Sequence, residues 1–176
     1  MECRGSGEPG GQKVFLWVIR HAKSSWSDTS LDDLDRPLKK RGKTDAKLVA
    51  DRLVDQGVRF DAILCSPAKR ARATCKVIAG AVGFDGAKIQ RSKKLYFKGE
   101  DAILERVRAI RGENLVHVAI FGHNPDFDAF LRRCGLASDI PDLPTCGCAC
   151  VEFPSWEHAK FESAKIVSFL TPKMLK

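Results

Sequence analysis

The chain has 176 residues, a length that suits one domain with its own core and is short for two. Its residues are 44% hydrophobic, yet no apolar run approaches the roughly 18 residues that a membrane span requires, so a soluble globular protein with no membrane partner is expected. The formal net charge of +8 fits an anionic ligand or plain solubility, whereas nucleic acid is not an expected partner: the basic runs at Lys39 to Arg41 and Lys69 to Arg72 carry no interleaved aromatics.

Residues 1–12, MECRGSGEPGGQ, are rich in glycine and polar residues and lack the apolar segment of a secretory signal, so they read as a flexible tail ahead of one domain over 13–176. Seven cysteines are an odd number and match no compact disulfide framework; reduced thiols in the cytoplasm are expected.

The first element is Val14 to Ile19, an apolar, β-branched run suited to a strand buried on both faces, and Ala62 to Cys65 repeats it. A third run is Leu115 to Phe121, followed by Gly122; Val151 to Phe153 and Ile166 to Leu170 can supply further strands. Between the strands the apolar period becomes helical. Ala46, Val49, Ala50 and Leu53 share a face before Gly57, and Ala71, Cys75, Ile78, Ala79 and Val82 do so before Gly83. Ile103, Leu104, Val107 and Ile110 precede Gly112, and Phe127, Phe130, Leu131 and Cys134 precede Gly135. This alternation predicts an α/β fold, a three-layer sandwich around a mostly parallel central sheet.

Three chemically loaded segments follow strands in this scheme: Arg20-His21, Ser66 to Arg70, and Gly122-His123-Asn124-Pro125. Ser66-Pro67 and Asn124-Pro125 each read as a capping side chain before a proline at the first helical position. Helix starts beyond the carboxyl ends of parallel strands are where open α/β sheets bind ligands, and they favour anions. The inventory of Arg20, Arg70, His21 and His123 suits a phosphoryl group. Both guanidinium groups can present planar forks to its oxygens, and His123 can hydrogen-bond to it as charge develops. Neighbouring guanidinium charge keeps His21 neutral, the form that attacks phosphorus, and a phosphohistidine intermediate divides one difficult displacement into two easier ones. With arginines neutralising the phosphoryl charge, no metal and no other cofactor is called for.

These residues also match a family pattern. RHAKS at Arg20 to Ser24, SPAKRARAT at Ser66 to Thr74 and GHNP at Gly122 to Pro125 resemble, in order, the three signatures of the histidine phosphatase superfamily, which includes phosphoglycerate mutases. The stretch from Arg20 to Gly42, with its DRPL at Asp35 to Leu38, is similar in particular to SixA-type phosphohistidine phosphatases. The resemblance covers about Val14 to Phe153. It implies a phosphoglycerate mutase-like fold, His21 as the nucleophile, and Arg20, Arg70 and His123 as the catalytic phosphate pocket. It further implies substrate-binding roles for Ser24 and Asn124, with Asp35 and Arg36 supporting the bordering loop.

One departure bears on the substrate. Mutase-like members carry a glutamate acid two positions after a mid-chain leucine, where this chain reads Leu95-Tyr96-Phe97. Glu100 or Asp101 could stand in, but both also suit the first turn of the next helix; Asp28 and Asp32 are other sources. A site without a proton donor is better matched to an imidazole leaving group than to an alkoxide. The expected activity is therefore metal-independent dephosphorylation of phosphohistidine on a protein, by a monomer. The alternatives are a phosphatase of a small phosphorylated metabolite or nucleotide, and a catalytically idle module that binds a phosphorylated ligand. Taken singly, His21 also reads as a polar strand end, His123 as a helix-start residue and Arg70 as a solvated cation. His117 and His158 read as structural, and Cys146, Cys148 and Cys150 as small residues on one face of a tight strand. Trp17, Trp26 and Trp156 read as packing or rim residues.

Overall fold

The structure is a computed structural model that describes residues 12–176. The tail expected over 1–12 lies, apart from Gln12, outside the described residues. Strands β1 (Val14–Arg20), β2 (Ala62–Cys65), β3 (Gln90–Arg91), β4 (His117–Gly122), β5 (Cys148–Phe153) and β6 (Lys165–Leu170) form one sheet in the order β3-β2-β4-β1-β5-β6. Four of them, β3, β2, β4 and β1, run parallel, and β5 is antiparallel to both of its neighbours. The helices are α1 (Lys40–Asp55), α2 (Lys69–Ala81), α3 (Glu100–Arg108) and α4 (Asp126–Arg133). This is the α/β sandwich with a mostly parallel sheet that the alternating pattern predicts. Among the described residues no helix is long and apolar enough to cross a membrane.

Because successive side chains on a strand point to opposite faces, each central strand feeds two cores. Leu16, Val18, Val118 and Ile120 pack with Ile103, Leu104 and Val107 of α3 and Phe127, Phe130 and Leu131 of α4. Trp17, Ile19, Ala119 and Phe121 pack instead with Ala46, Val49 and Leu53 of α1 and Ala71, Cys75 and Ile78 of α2. Cys146, Cys148 and Cys150 all join this second core. Burial pushes the Cys146 and Cys150 thiols up to about 12, so they stay protonated and act as small packing groups.

Two local expectations change. Neither Pro67 nor Pro125 opens a helix: α2 is capped by Ala68 and α4 by Pro125, with Asn124-Pro125 in the cis form. Ser66 is too far from the first turn of α2 to cap it in the usual way, and its hydroxyl accepts from Ala68 N at 3.3 Å while its main commitment is to His123. Strand β3 has two exposed polar residues and carries no apolar signal; pairing with Leu64 and Cys65 creates it.

The segment after His21 is clamped against the start of α1. Lys39 N donates to Lys23 O at 2.9 Å, Ser25 N donates to Pro37 O at 2.8 Å, and Ser24 bridges to Leu38. Gly42 makes this approach possible, because a Cβ there would lie 2.2 Å from the Lys23 carbonyl oxygen. Gly42→Ala is expected to lower stability by about 1–3 kcal/mol, since backbone atoms must shift to admit the methyl group. Urea unfolding checks this; an unchanged midpoint would show that the clamp yields freely.

Candidate active site

The strand order β2-β4-β1 places Ser66, His123 and His21, each just past its strand, side by side at the carboxyl edge of the sheet. The backbone of His21 is fixed from two sides: its N–H donates to Gly122 O at 3.0 Å and its carbonyl accepts from Cys146 N at 3.1 Å. The next residue is held by α2, because Ala22 N donates to Thr74 Oγ1 at 2.9 Å while that hydroxyl donates to Arg70 O at 2.8 Å. Gly122 lets α4 return close to the strand; a Cβ there would meet Phe127 Cζ at 2.6 Å.

His21 Nδ1 lies 2.8 Å from Ala22 O. A carbonyl only accepts, so Nδ1 carries the proton and Nε2 keeps its lone pair. That lone pair faces Arg70, whose Nε–H donates to it at 3.3 Å. Arg70 is 2% exposed and also reaches His123 Nδ1 at 3.3 Å through Nη2. The two imidazole centroids are 5.1 Å apart. His123 Nε2 lies 2.7 Å from Ser66 Oγ. A guanidinium only donates, so His123 Nδ1 accepts from Arg70 and its Nε2–H donates to the Ser66 hydroxyl, which fixes the neutral tautomer.

Burial, followed by the charges of Arg70, Arg20 and Arg36, lowers His21 to about 4 against the pull of the Ala22 carbonyl. Burial, then His21 and Arg70, lowers His123 to about 3. Both rings are neutral at pH 7, as a nitrogen nucleophile requires. The same shifts couple stability to pH. An unfolded histidine titrates near ~6.5, so below that value the unfolded chain binds protons that the folded chain refuses. This stability is present in full above pH 6.5 and is lost as pH falls through about 4 for His21 and about 3 for His123. Urea midpoints are expected to decline from pH 7 to pH 4; a rising midpoint over that interval would contradict the assignment.

Asp33 is the residue that sequence reasoning missed. It opens a short 3₁₀ turn at Asp33–Asp35, where its carbonyl and Oδ2 accept from Arg70 Nη1 and Nη2 at 2.5 and 2.9 Å. Tyr96 Oη donates to Oδ2 at 2.6 Å, and Arg36 Nη1 donates to Oδ1 at 2.8 Å. Partial burial works to raise the Asp33 carboxyl, but the hydrogen bonds from Tyr96, Arg36 and Arg70 outweigh it and hold the group well below the usual carboxylate range. It is therefore ionised at neutral pH and has no proton to give. Asp33 sits between two carboxylates in Asp32-Asp33-Leu34-Asp35, and only the turn selects which one faces Arg70. Asp28 instead sits on an exposed turn and accepts from Ser30.

The remaining candidates divide into two groups. Arg36 is buried; it donates to Ser24 Oγ at 2.7 Å and Ser25 O at 3.1 Å and lies 3.2 Å from the Trp26 ring centroid, so Ser24 is joined to the Asp33 network. Arg20 Nη1 and Asn124 Nδ2 meet on the Leu143 carbonyl at 2.8 and 3.0 Å. Asn124 Nδ2 also donates to Asp128, whose other oxygen accepts from Leu143 N. Arg20 Nε and Asn124 Oδ1 are buried without a hydrogen-bond partner. Glu100 and Asp101 lie in the first turn of α3 and pair with Arg133 at 3.5 and 2.7 Å. His117 accepts from Trp17 Nε1 and stacks on Phe15, while His158 pairs with Ser155.

Two neutral imidazoles beside the Arg70 guanidinium at a sheet edge can hold a phosphoryl group and present a nitrogen lone pair to its phosphorus. Known proteins share this architecture. The chain is 30% identical over 167 residues to an uncharacterized Mycobacterium leprae protein, covering 88% of this chain and 100% of that one. Among solved structures it resembles SixA from Agrobacterium tumefaciens with a TM-score of 0.76 and 26% identity, over 90% of this chain and 99% of that one. The protein histidine phosphatase SixA in its tungstate complex shares the fold at a TM-score of 0.79 and 19% identity, over 93% and 100% of the two chains. The family model of the histidine phosphatase superfamily (branch 1) matches residues 16–96, the stretch that carries Arg20, His21, Asp33 and Arg70. Together with that full-length relative and the SixA fold around its paired histidines, this places the chain in the histidine phosphatase superfamily.

Proposed function

We infer that this chain, as one catalytic domain over 13–176, is a phosphohistidine phosphatase that acts on a phosphorylated protein without a metal. The observation that carries the reading is the orientation of His21: Nδ1 is tied to the Ala22 carbonyl, so the unprotonated Nε2 faces Arg70. In the first step Nε2 attacks phosphorus, the His21 N–P bond forms, and the N–P bond of the substrate breaks. The departing imidazole takes its proton from water. In the second step water attacks the phosphorylated His21, releasing inorganic phosphate and returning the neutral ring. Arg20, Arg70 and His123 hold the phosphoryl oxygens through both transfers. Ser24 and Asn124 border the pocket through Arg36 and the Leu143 carbonyl.

The choice of leaving group rests on Asp33. The carboxylate that touches Arg70 is ionised and already accepts from three side chains, so it is a poor general acid for an alkoxide. An imidazole departs far more readily and needs no acid from the protein. Six described cysteines are free and buried, which fits work in the reducing cytoplasm. The test is phosphate release, with EDTA present, from a histidine-phosphorylated carrier protein beside sugar phosphates and nucleotides. Preferential release from the carrier is expected. Faster release from a sugar phosphate or nucleotide would move the assignment to a small-molecule phosphatase.

A further inference from the structure

We propose that Phe97 forms a ring-binding subsite beside the phosphate pocket, a face on which the imidazole of an N-phosphorylated histidine stacks during transfer. The inference rests on the phosphohistidine reading above and adds the residue that recognises the leaving group. Phe97 has a backbone φ of 50°, a left-handed conformation that costs every non-glycine residue free energy and is an outlier for a bulky one. Folding gives little in return, because the residue remains 45% exposed. Strain of this kind persists where the surroundings enforce it, and it gathers at functional sites.

The enforcement is visible on both sides of the residue. Tyr96 is tied to Asp33 by its hydroxyl, and Gly99 N donates to Asp126 Oδ2 at 3.0 Å. Held between these anchors, the Phe97 ring sits 4.9 Å from the His123 ring, tilted by 33°, and 4.7 Å from the Tyr96 ring, nearly edge-on at 61°. Tyr96 in turn meets His123 edge-on at 5.3 Å. A partly exposed aromatic ring thus stands directly beside an imidazole of the phosphate pocket, and its polar-free face offers nothing to sugar hydroxyls. The ligand it fits has a flat ring bonded to the phosphoryl group itself. N-phosphoimidazole has that shape; in a nucleoside 5′-phosphate several bonds separate phosphorus from the base.

The experiment compares two P–N substrates that differ in the ring, N-phosphoimidazole and phosphoramidate, for the wild type, Phe97→Ala and Phe97→Trp. Thermal unfolding of each variant accompanies the kinetics. Loss of a stacking face is expected to lower the ratio of kcat/KM for N-phosphoimidazole over phosphoramidate about tenfold in Phe97→Ala, with the ratio retained in Phe97→Trp. An unchanged ratio in Phe97→Ala, or a wild type that favours phosphoramidate, overturns the subsite while leaving the phosphatase reading intact. A wild type that turns over neither substrate overturns both.

Discussion

His21→Ala is expected to lower phosphate release from a histidine-phosphorylated protein by at least about four orders of magnitude, with little change in fold. The size of the effect follows from the chemistry. Removing the imidazole removes the bond-forming atom, and nearby groups cannot replace it: His123 Nδ1 is turned towards Arg70 and its Nε2 is engaged by Ser66. The positive pocket would remain and would still bind phosphate, so KM is expected to move far less than kcat. The folded state also sheds an imidazole that burial holds neutral, and the acid sensitivity between pH 6.5 and about 4 should weaken in the variant. Release from His21→Ala within tenfold of the wild type would remove His21 from the chemistry.

The second large effect is expected at Arg70. Its guanidinium touches His21, His123 and Asp33 at once, with Nε directed to the first and Nη2 shared between the other two. Arg70→Ala is expected to lower kcat/KM by about three orders of magnitude, because the charge that stabilises the transferring phosphoryl group is lost. Arg70→Lys keeps a positive charge but not the planar fork, and a loss of about a hundredfold is expected. The stability change should be smaller than for a fully buried ion pair. The Asp33 side chain is 39% exposed, so water takes over part of its solvation, and about 1–2 kcal/mol is expected from urea unfolding. Activity in Arg70→Ala within tenfold of the wild type would mean that the phosphoryl group is held elsewhere.

The parts of this site that the sequence makes legible are those written in local patterns. Val14 to Ile19 and Leu115 to Phe121 are apolar runs long enough to read as buried strands, and the residues after them fall at one sheet edge once the strands are parallel. The order β2-β4-β1 is what brings His21 and His123 within 5.1 Å, and that order depends on long-range pairing. Asp33 shows the limit more sharply. Among the four carboxylates at Asp28, Asp32, Asp33 and Asp35, the one that meets Arg70 is selected by a 3₁₀ turn and by the clamp between Lys23 and Lys39. Neither leaves a periodic trace. Ser66 reads from sequence as a helix cap, yet the helix begins three residues later and the hydroxyl serves His123 instead. Leu95-Tyr96-Phe97 is informative for the opposite reason. The sequence reveals a missing glutamate, and the structure reveals what stands in that region: a tyrosine bound to Asp33 and a phenyl ring beside His123.

The most direct test of the account is to trap the covalent intermediate. Wild-type protein is mixed with a carrier protein bearing ³²P on histidine, quenched in alkali within milliseconds to seconds, and digested for mass spectrometry. A transient label is expected on the protein, stable in alkali, labile in acid and located on His21, with no label in His21→Ala. Phosphate release without a labelled protein, or a label on any other residue, would contradict it.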